Sequence, residues 1–588
     1  MPVTYKGLDC LADMSAEEYT HYYTQSQTEI PWASQAYYGY YTIYFGSAVV
    51  GVALFKNLYY RSRDHFYSKS QSAGIFTPLV DTLVAYSRFL GYKQTPMKLT
   101  YFTSLPPSVG SSLFLMASSL YLFLYCFVPH FWYRGCRGFG SPPLAVRAGV
   151  MATALTPFIY ILAGKSNFIT LVTGISYEKL NYLHQYVGVA ALVLSLVHTI
   201  PFIYQAIVEG GAANLRHTWN NEAIYRNGVP PLVLLILLCS LSKAGVRKWF
   251  YEGFLHLHWM MGIAYFGTLG YHIYGSMATE NYMWAALAFW FTQVFYRLFV
   301  KTCLKPNALF LRPSEAKLFK LQGSNAYQVN VKNRGIFWKP GQHVYLRFAS
   351  RVLDNHPFSV CNLPKESENE LKFIIIPKRG LTKSLYDKID SCLSEKVYID
   401  GPYGGCSRNH HTFEKVYLIA SGSGVTATMS FLTDLAQKIE SGENKVTKEV
   451  TFVWVVRKLE DIDWFRTELN KALECDRVNV LIYVCDRSSQ KEKYLNEKET
   501  FTSESLEAAI ETRSNELNVK FGRPNMENLV KSFAPSLGRR NFVCSSGSDS
   551  MKFQVSSGVS ALQPLIFNKD LYASEVEEIF LHTESFGW

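Results

Sequence analysis

The sequence predicts an α-helical transmembrane bundle followed by a soluble module, which combines an antiparallel β-barrel with an α/β doubly wound domain. Three observations predict it. The first 300 residues hold long apolar runs, whereas the last 285 alternate apolar and charged residues. Four histidines recur at one spacing inside two of the apolar runs. An apolar strand, a Gly-Ser-Gly turn and a helical stretch follow the alternating region. The 588 residues leave room for several domains, and 48% of them are hydrophobic.

The net charge of +11 does not point to nucleic acid, because no basic stripe carries stacking aromatics in a nucleic-acid-binding motif. Basic residues held on the inner side of a membrane explain it. The opening "MPVTYKGLDCLADMSAEEYT" has no apolar core and is not a secretory signal peptide. Eleven cysteines without a CxxC pair argue against a disulfide scaffold or a zinc ribbon. Cys10 and Cys136 are placed to face the outside together.

Seven segments could cross a ~30 Å hydrocarbon core, which demands roughly 20 residues, the fifth of them being short. They lie near 38–56, 110–132, 146–164, 183–207, 229–243, 254–274 and 282–302. Orientation follows from Lys and Arg. "KNLYYRSRDHFYSKS" after the first span, Lys165 and Lys179 after the third, "SKAGVRKW" after the fifth and "KTCLKP" after the last share one side. That side is assigned to the cytoplasm, so the N-terminus faces out. The basic outer loop "YRGCRGFGSPPLAVR" weighs against this, less heavily.

The fourth and sixth spans carry the histidines. His184 and His198 are 14 residues apart, and so are His258 and His272. Fourteen steps of a helix turn about 1400° and rise ~21 Å, so each pair shares one helix face near opposite leaflets. Ionisable groups within a membrane usually mark function. Two parallel helices with matched pairs build two stacked sites, each with one imidazole from either helix. That suits bis-histidine haem, whereas zinc would want further ligands that neither run supplies. Direction pairs His184 with His258 on the inner level and His198 with His272 on the outer. His256 breaks the repeated register and His217 lies in an outer loop, so both read as neighbours.

The soluble part opens with "KPGQHVYLRF" (339–348) and "LDNHPFSV" (353–360) among alternating, strand-like residues. "PKRGLTKSLY" and "DGPYGG" follow, then "KVYLIASGSGVTATMSFLTDL", whose turn aims backbone N–H groups and a helix N-terminus at a phosphate. "VTFVWVVRKLED", "RVNVLIYVCDR" and "RRNFVCSSGSDSM" supply further strands.

With the paired H-x13-H runs, HPFS, the Gly-Ser-Gly turn and the final "FGW" in this order, the chain resembles the fungal ferric reductase family, related to the NADPH oxidases, over residues 105–588. The resemblance implies a ferredoxin-NADP reductase-like module and, as cofactors, two b-type haems, FAD and NADPH. It implies that His356, Pro357, Phe358 and Ser359 bind FAD, that Gly380, Leu381 and Thr382 meet its pyrophosphate, and that Gln342, His343 and Tyr345 line the flavin pocket. Ser421, Gly422, Ser423, Gly424, Val425 and Thr426 match the nicotinamide dinucleotide loop. Trp454 and Arg457 match a strand-end pair near the dinucleotide, where Arg457 meets a 2′-phosphate or is simply solvated. Cys544 and Trp588 match residues at the hydride-transfer site, Trp588 covering the flavin ring.

The implied organisation is a short extracellular segment (1–37), an extra first span with a basic cytoplasmic loop (38–104), a six-helix haem domain (105–303), an FAD barrel (304–410) and an NADPH domain (411–588). The implied setting is a multi-pass protein of the plasma membrane serving iron acquisition. Two features depart from the pattern. Cys544, Ser545, Ser546 and Gly547 stand where relatives carry Cys-Gly-Pro, and the region before the first span is shorter than in many relatives. The acceptor stays open among ferric chelates, copper, haem delivered by a carrier protein, and oxygen. A superoxide-forming oxidase, and a haem-bearing scaffold or ion conduit with an inactive dehydrogenase domain, are the alternatives. The outer rim is expected to offer Arg134, Arg137, Arg216 and Arg226 against Glu209, Glu222 and Glu280, favouring anionic acceptors.

Overall fold

The computed structural model describes residues 15, 17–18, 20–21, 24, 32–70, 78–95, 106, 108–129, 141–303, 313–364, 369–390, 394–486, 517–569 and 574–584. It divides into two compact units. The first comprises the chain up to Asn57 and Leu113–Tyr296; the second comprises Leu58–Ser112 and Arg297 onward. Residues 1–14, Cys136, the stretch 133–140 with Arg134 and Arg137, and Trp588 lie outside the described residues.

The helices, in chain order, begin with α1 Trp32–Ser70, α2 Pro78–Tyr92, α3 Val109–Phe127, α4 Pro143–Ala154, α5 Thr156–Ala163, α6 Phe168–Thr173 and α7 Tyr177–Asn221. They continue with α8 Ala223–Asn227, α9 Val229–Leu241, α10 Ala244–Trp249, α11 Tyr251–Ile273 and α12 Glu280–Phe295. Among the described residues, five helical stretches are long and apolar enough to cross a membrane: Gln35–Ser68, Val109–Phe127, Pro143–Ala163, Tyr177–Val208 and Ala223–Leu241. The other two expected spans coincide with α11, whose apolar character is diluted by Glu252, His256 and His258, and with α12, which has only 16 residues.

The first unit packs around α4, which is buried at nearly every residue. Ala145, Ala148, Gly149 and Ala152 keep its surface small, so neighbouring backbones approach closely. Its core includes Leu122, Cys126, Met151, Leu155, Ala191, Leu194, Leu235 and Tyr265. α7 is not one straight rod: Gly210 and Gly211 depart from helical geometry, with φ 66° at Gly211. The expected outer loop 209–228 is therefore largely helical, as is much of the expected cytoplasmic loop 57–104, which forms the end of α1 and all of α2. Those apolar residues recur at helical spacing but face a soluble domain, so hydropathy alone did not mark them.

In the second unit β1 Ser314–Lys320, β2 Tyr327–Lys332, β3 Gln342–Phe348, β4 His356–Ser359, β5 Glu370–Ile375 and β6 Ser394–Gly404 form an antiparallel sheet in the order β4-β3-β6-β1-β2-β5. Its strands, with helix α13 Leu381–Lys388, share a core that includes Tyr327, Trp338, Phe348, Phe373, Leu381 and Leu385. A second, fully parallel sheet follows: β7 Lys415–Ser421, β8 Glu449–Val456, β9 Val478–Val484, β10 Asn518–Phe521, β11 Arg540–Ser546 and β12 Glu578–Glu584. Its order is β10-β9-β8-β7-β11-β12. The chain winds outward from β7 in one direction, then returns to β11 on its other side. This reversal is the switch point at which doubly wound sheets leave a crevice for ligands. Helix α14 Val425–Glu440 packs in the core on one side and α15 Asp549–Leu562 in that on the other.

Candidate functional site

The membrane unit brings the four histidines together as two pairs. The ring centroids of His184 and His258 are 6.2 Å apart, and so are those of His198 and His272. His256 instead accepts from Trp259 Nε1 at 3.4 Å, and His217 is exposed on the last part of α7. Three Nδ1 atoms are engaged: His184 with the Ile159 carbonyl at 3.1 Å, His198 with the Ala145 carbonyl at 2.9 Å, His258 with the Ser242 hydroxyl at 3.2 Å. A carbonyl can only accept, so His184 and His198 carry their protons on Nδ1 and keep the Nε2 lone pair for a metal.

Spacing tests whether haem iron fits. With metal–imidazole bonds of ~2 Å and a ring centre roughly 1 Å beyond each nitrogen, two imidazoles straddling one iron have centroids about 6 Å apart. Both pairs meet that spacing. Two glycines from other parts of the bundle seat the second pair. A Cβ at Gly149 would run into the His198 ring, and one at Gly228 would come within 2.9 Å of His272 Cε1. Elsewhere on α4, Arg147 is buried: its Nε donates to the Cys126 carbonyl at 2.9 Å, Nη1 to Gln35 Oε1 at 3.3 Å, and the guanidinium lies over Tyr38. Ser242, Gly149, Gly228 and Arg147 carry no periodic signal of their own, and sequence reasoning did not single them out. Among the expected rim residues, Arg216 and Arg226 are exposed, but Arg226 already donates to the Trp219 and Asn220 carbonyls at 2.6 Å each. It closes the end of α7.

In the antiparallel domain the HPFS residues form β4 and pair with β3: His343 opposite Ser359, Val344 opposite Phe358, Tyr345 opposite Pro357. The two motifs are therefore one surface, although His343 and His356 are 13 positions apart in the chain. His343 is buried, with its ring 5.8 Å from Tyr345 and 6.2 Å from Tyr403. Tyr403 donates to Asp400 at 2.5 Å, and Arg297 pairs with the same carboxylate. Gln342 is spent locally: its Oε1 accepts from Lys339 N at 2.8 Å. Gly380, at φ 80°, opens α13; a Cβ there would meet nothing within 4 Å, so its backbone faces open space. Thr382 folds back to accept from Lys378 N at 2.8 Å, while Leu381 is a core residue.

At the switch point of the parallel sheet, Ser421 ends β7, Gly422–Gly424 make one tight turn, and Val425 and Thr426 begin α14. Gly424 touches the Ser546 carbonyl of β11 so closely that a Cβ would overlap it. Ser421 Oγ accepts from Ser548 N at 3.1 Å, joining the two turns across the crevice. Two expected residues stand elsewhere. Trp454 is fully buried and supports the turn from beneath, its Nε1 donating to the Gly422 carbonyl at 3.2 Å. Cys544 is sealed in the core with Phe542, and Gly547 and Ser548 are the accessible residues of its turn. Strand alternation decides both: they lie on the face that α14 covers. Arg457, just past β8, is exposed.

His410, His411 and Asp434 offer ligand atoms within 4.8 Å of one another, but the site is already closed. Asn444 Oδ1 accepts from Val446 N and Thr447 N, which turns its amide nitrogen toward His411 Nδ1 at 3.2 Å. His411 Nε2 is then protonated and donates to Asp434 at 2.8 Å. Lys438 sits 3.1 Å from the same carboxylate. Burial pushes His410 down to about 4, so it stays neutral and donates to Asp434 at 2.8 Å.

Comparison with known proteins agrees with this layout. A model described as "Ferric reductase like transmembrane component" matches residues 148–269, an "FAD-binding domain" matches 313–407, and a "Ferric reductase NAD binding domain" matches 413–560. "Ferric/cupric reductase transmembrane component 7" of Saccharomyces cerevisiae is 36% identical, covering 99% of this chain and 98% of that protein. The chain belongs to the ferric reductase family. This ferric reductase is also 35% identical to "Probable cell surface ferric reductase kap2" of Aspergillus oryzae, over 68% of this chain and 55% of that one. It is 28% identical to "Ferric reductase transmembrane component 5" of Saccharomyces cerevisiae, over 66% and 54%. It is a membrane oxidoreductase with a domain for FAD and a domain for a nicotinamide dinucleotide.

Proposed function

We propose that this reductase takes electrons from cytosolic NADPH, through FAD and two stacked b-type haems, to an extracellular ferric acceptor, a ferric chelate or haem iron, in the service of iron acquisition at the plasma membrane. The observation that carries the reading is the pair of 6.2 Å imidazole gaps, ~21 Å apart along α7 by helix rise. When bound, the flavin accepts a hydride and each haem relays single electrons; the protein binds, orients and insulates them.

His184 with His258, and His198 with His272, would hold the two irons from both faces. With two imidazoles at each site, a haem held there would supply electron relay rather than direct ligand chemistry. The carbonyls of Ile159 and Ala145 fix the tautomer that presents Nε2. The β3–β4 surface with Gly380 and Thr382 would hold FAD. The Gly422–Gly424 turn would receive the dinucleotide phosphates on its N–H groups and the start of α14, and exposed Arg457 would favour a 2′-phosphate. By the family resemblance, Trp588, outside the described residues, would cover the flavin face.

Reduced-minus-oxidised spectra of single His→Ala variants test the haem assignment. Loss of one haem signal per pair is expected; retention of both with His258→Ala and loss with His256→Ala would overturn the register. NADPH oxidation with ferric citrate, cupric ion, haem and oxygen in turn identifies the acceptor, and a preference for oxygen would replace the ferric reading.

A further inference from the structure

Seven buried charges and one nearly buried carboxylate meet inside the second unit. The end of α1 gives Arg63 and Asp64; α2 gives Asp81 and Arg88; the nucleotide domain gives Arg408, Arg540, Glu577 and Glu578. Asp64 accepts from Arg408 at 2.8 and 2.7 Å and from Arg540 at 2.7 Å. Glu578 accepts from Arg88 at 2.8 Å, Arg408 at 2.7 Å and Arg540 at 3.0 Å. Arg63 bridges to Asp81 at 2.5 Å, and Tyr67 donates to Glu577. Four positive and four negative groups balance, which is what allows them to stay buried.

This cluster holds β12, the edge strand of the parallel sheet. Arg88 also donates to the Ile579 carbonyl at 3.4 Å, and the Tyr92 hydroxyl accepts from Leu581 N at 3.1 Å. Edge N–H and carbonyl groups of β12 are thus taken up by α2, the Ile579 carbonyl together with Gln563 Nε2 at 3.2 Å. Ser560 donates to the Phe89 carbonyl at 2.7 Å, and Tyr86 stacks on Phe567 at 4.0 Å. β12 in turn pairs with β11 without a break, from Arg540 opposite Glu578 to Ser546 opposite Glu584. β11 runs directly into Gly547 and Ser548, which face the Gly422–Gly424 turn across the crevice.

We infer that α2 is a positioning element of the nucleotide crevice: through β12, Arg88 and Tyr92 set the height of the Gly547–Ser548 turn against Ser421. The inference rests on the reading that this crevice takes the nicotinamide dinucleotide. Neither residue touches the dinucleotide; both act through the strand.

The test uses the full chain in membranes and measures KM and kcat for NADPH with one fixed acceptor, beside FAD content and the haem spectrum. Arg88→Ala should raise KM about 2- to 30-fold, the range of coupling through packed elements, with kcat, FAD and haem retained. Arg88→Lys should recover part of the loss. Tyr92→Phe, which removes only the acceptor for Leu581 N, should raise KM about 2-fold, at the low end of the same range. Unchanged KM in both Arg88→Ala and Tyr92→Phe overturns the inference, as does a loss of FAD and kcat at constant KM. If Arg88→Ala is not produced, Tyr92→Phe decides alone. Gly424→Val separates the two readings: unchanged KM there removes the dinucleotide from this crevice, whatever the α2 variants do.

Discussion

The histidines of the membrane unit and the charged cluster around Glu578 are both buried polar constellations, and they are built on opposite rules. Three histidines of the first, His184, His198 and His258, are each fixed at Nδ1, as His198 is by the Ala145 carbonyl, and the other nitrogen is left unspent. In the second, each charge meets an opposite one: Asp64 alone serves two guanidiniums and Glu578 at least three. Bonding capacity held in reserve marks a site that awaits a ligand. Capacity used up marks a joint. Burial depth alone would not have told the two apart.

The largest effect expected is on the reserve side. His198→Ala or His272→Ala should abolish the second haem signal and all transfer to an external acceptor, while NADPH still reduces the flavin in stopped-flow absorbance. Flavin reduction lost together with the haem would mean that the two units do not function separately.

On the joint side, Asp64→Ala leaves Arg408 and Arg540 short of a carboxylate, and removing one partner of a buried pair costs about 3–5 kcal/mol. Flavin release during urea titration should shift to lower denaturant, whereas Asp64→Asn, which keeps the shape, should shift it less. Equal shifts would mean that packing, not charge balance, holds the joint.

A pH effect comes next. Burial lowers His410 to about 4 from 6.5, so its folded form resists protonation. The stability it gives is complete above pH 6.5 and is lost as pH falls toward 4, a change of about 3 kcal/mol for one such group. Urea midpoints of the flavin signal at pH 7 and pH 5 should therefore differ, and His410→Gln should narrow the difference. Glu578 should not add to that window: burial alone would raise it, but Arg408, Arg88 and Arg540 hold it well below the ordinary carboxylate range.

The smallest effect sharpens the comparison. Gly149→Ala leaves all four ligands in place and only crowds the His198 ring. Disturbing what orients a metal ligand costs about 10- to 100-fold in affinity, so haem retention during purification should fall for the second pair alone. Gly188→Ala, where a Cβ meets nothing within 4 Å, should behave as wild type.

The sequence by itself determined what repeats locally. Helical periodicity and a spacing of 14 brought out four histidines and their pairing, because a helix converts residue number into angle and height. The strand, turn and helix around Ser421–Thr426 were legible for the same reason: one continuous stretch makes them. Only the tertiary structure decided what depends on which face a neighbour covers. Trp454 and Cys544, which lie near the crevice in sequence, proved to be core because α14 covers their side of the sheet. Arg226 closes a helix end. The end of α1 and α2 read as a basic loop, yet they hold the edge strand. Arg63, Asp64 and Arg88 find partners more than 300 residues away, at Arg408, Arg540, Glu577 and Glu578. No period links such distant positions; charge balance in a dry interior selects them only once the chain has folded.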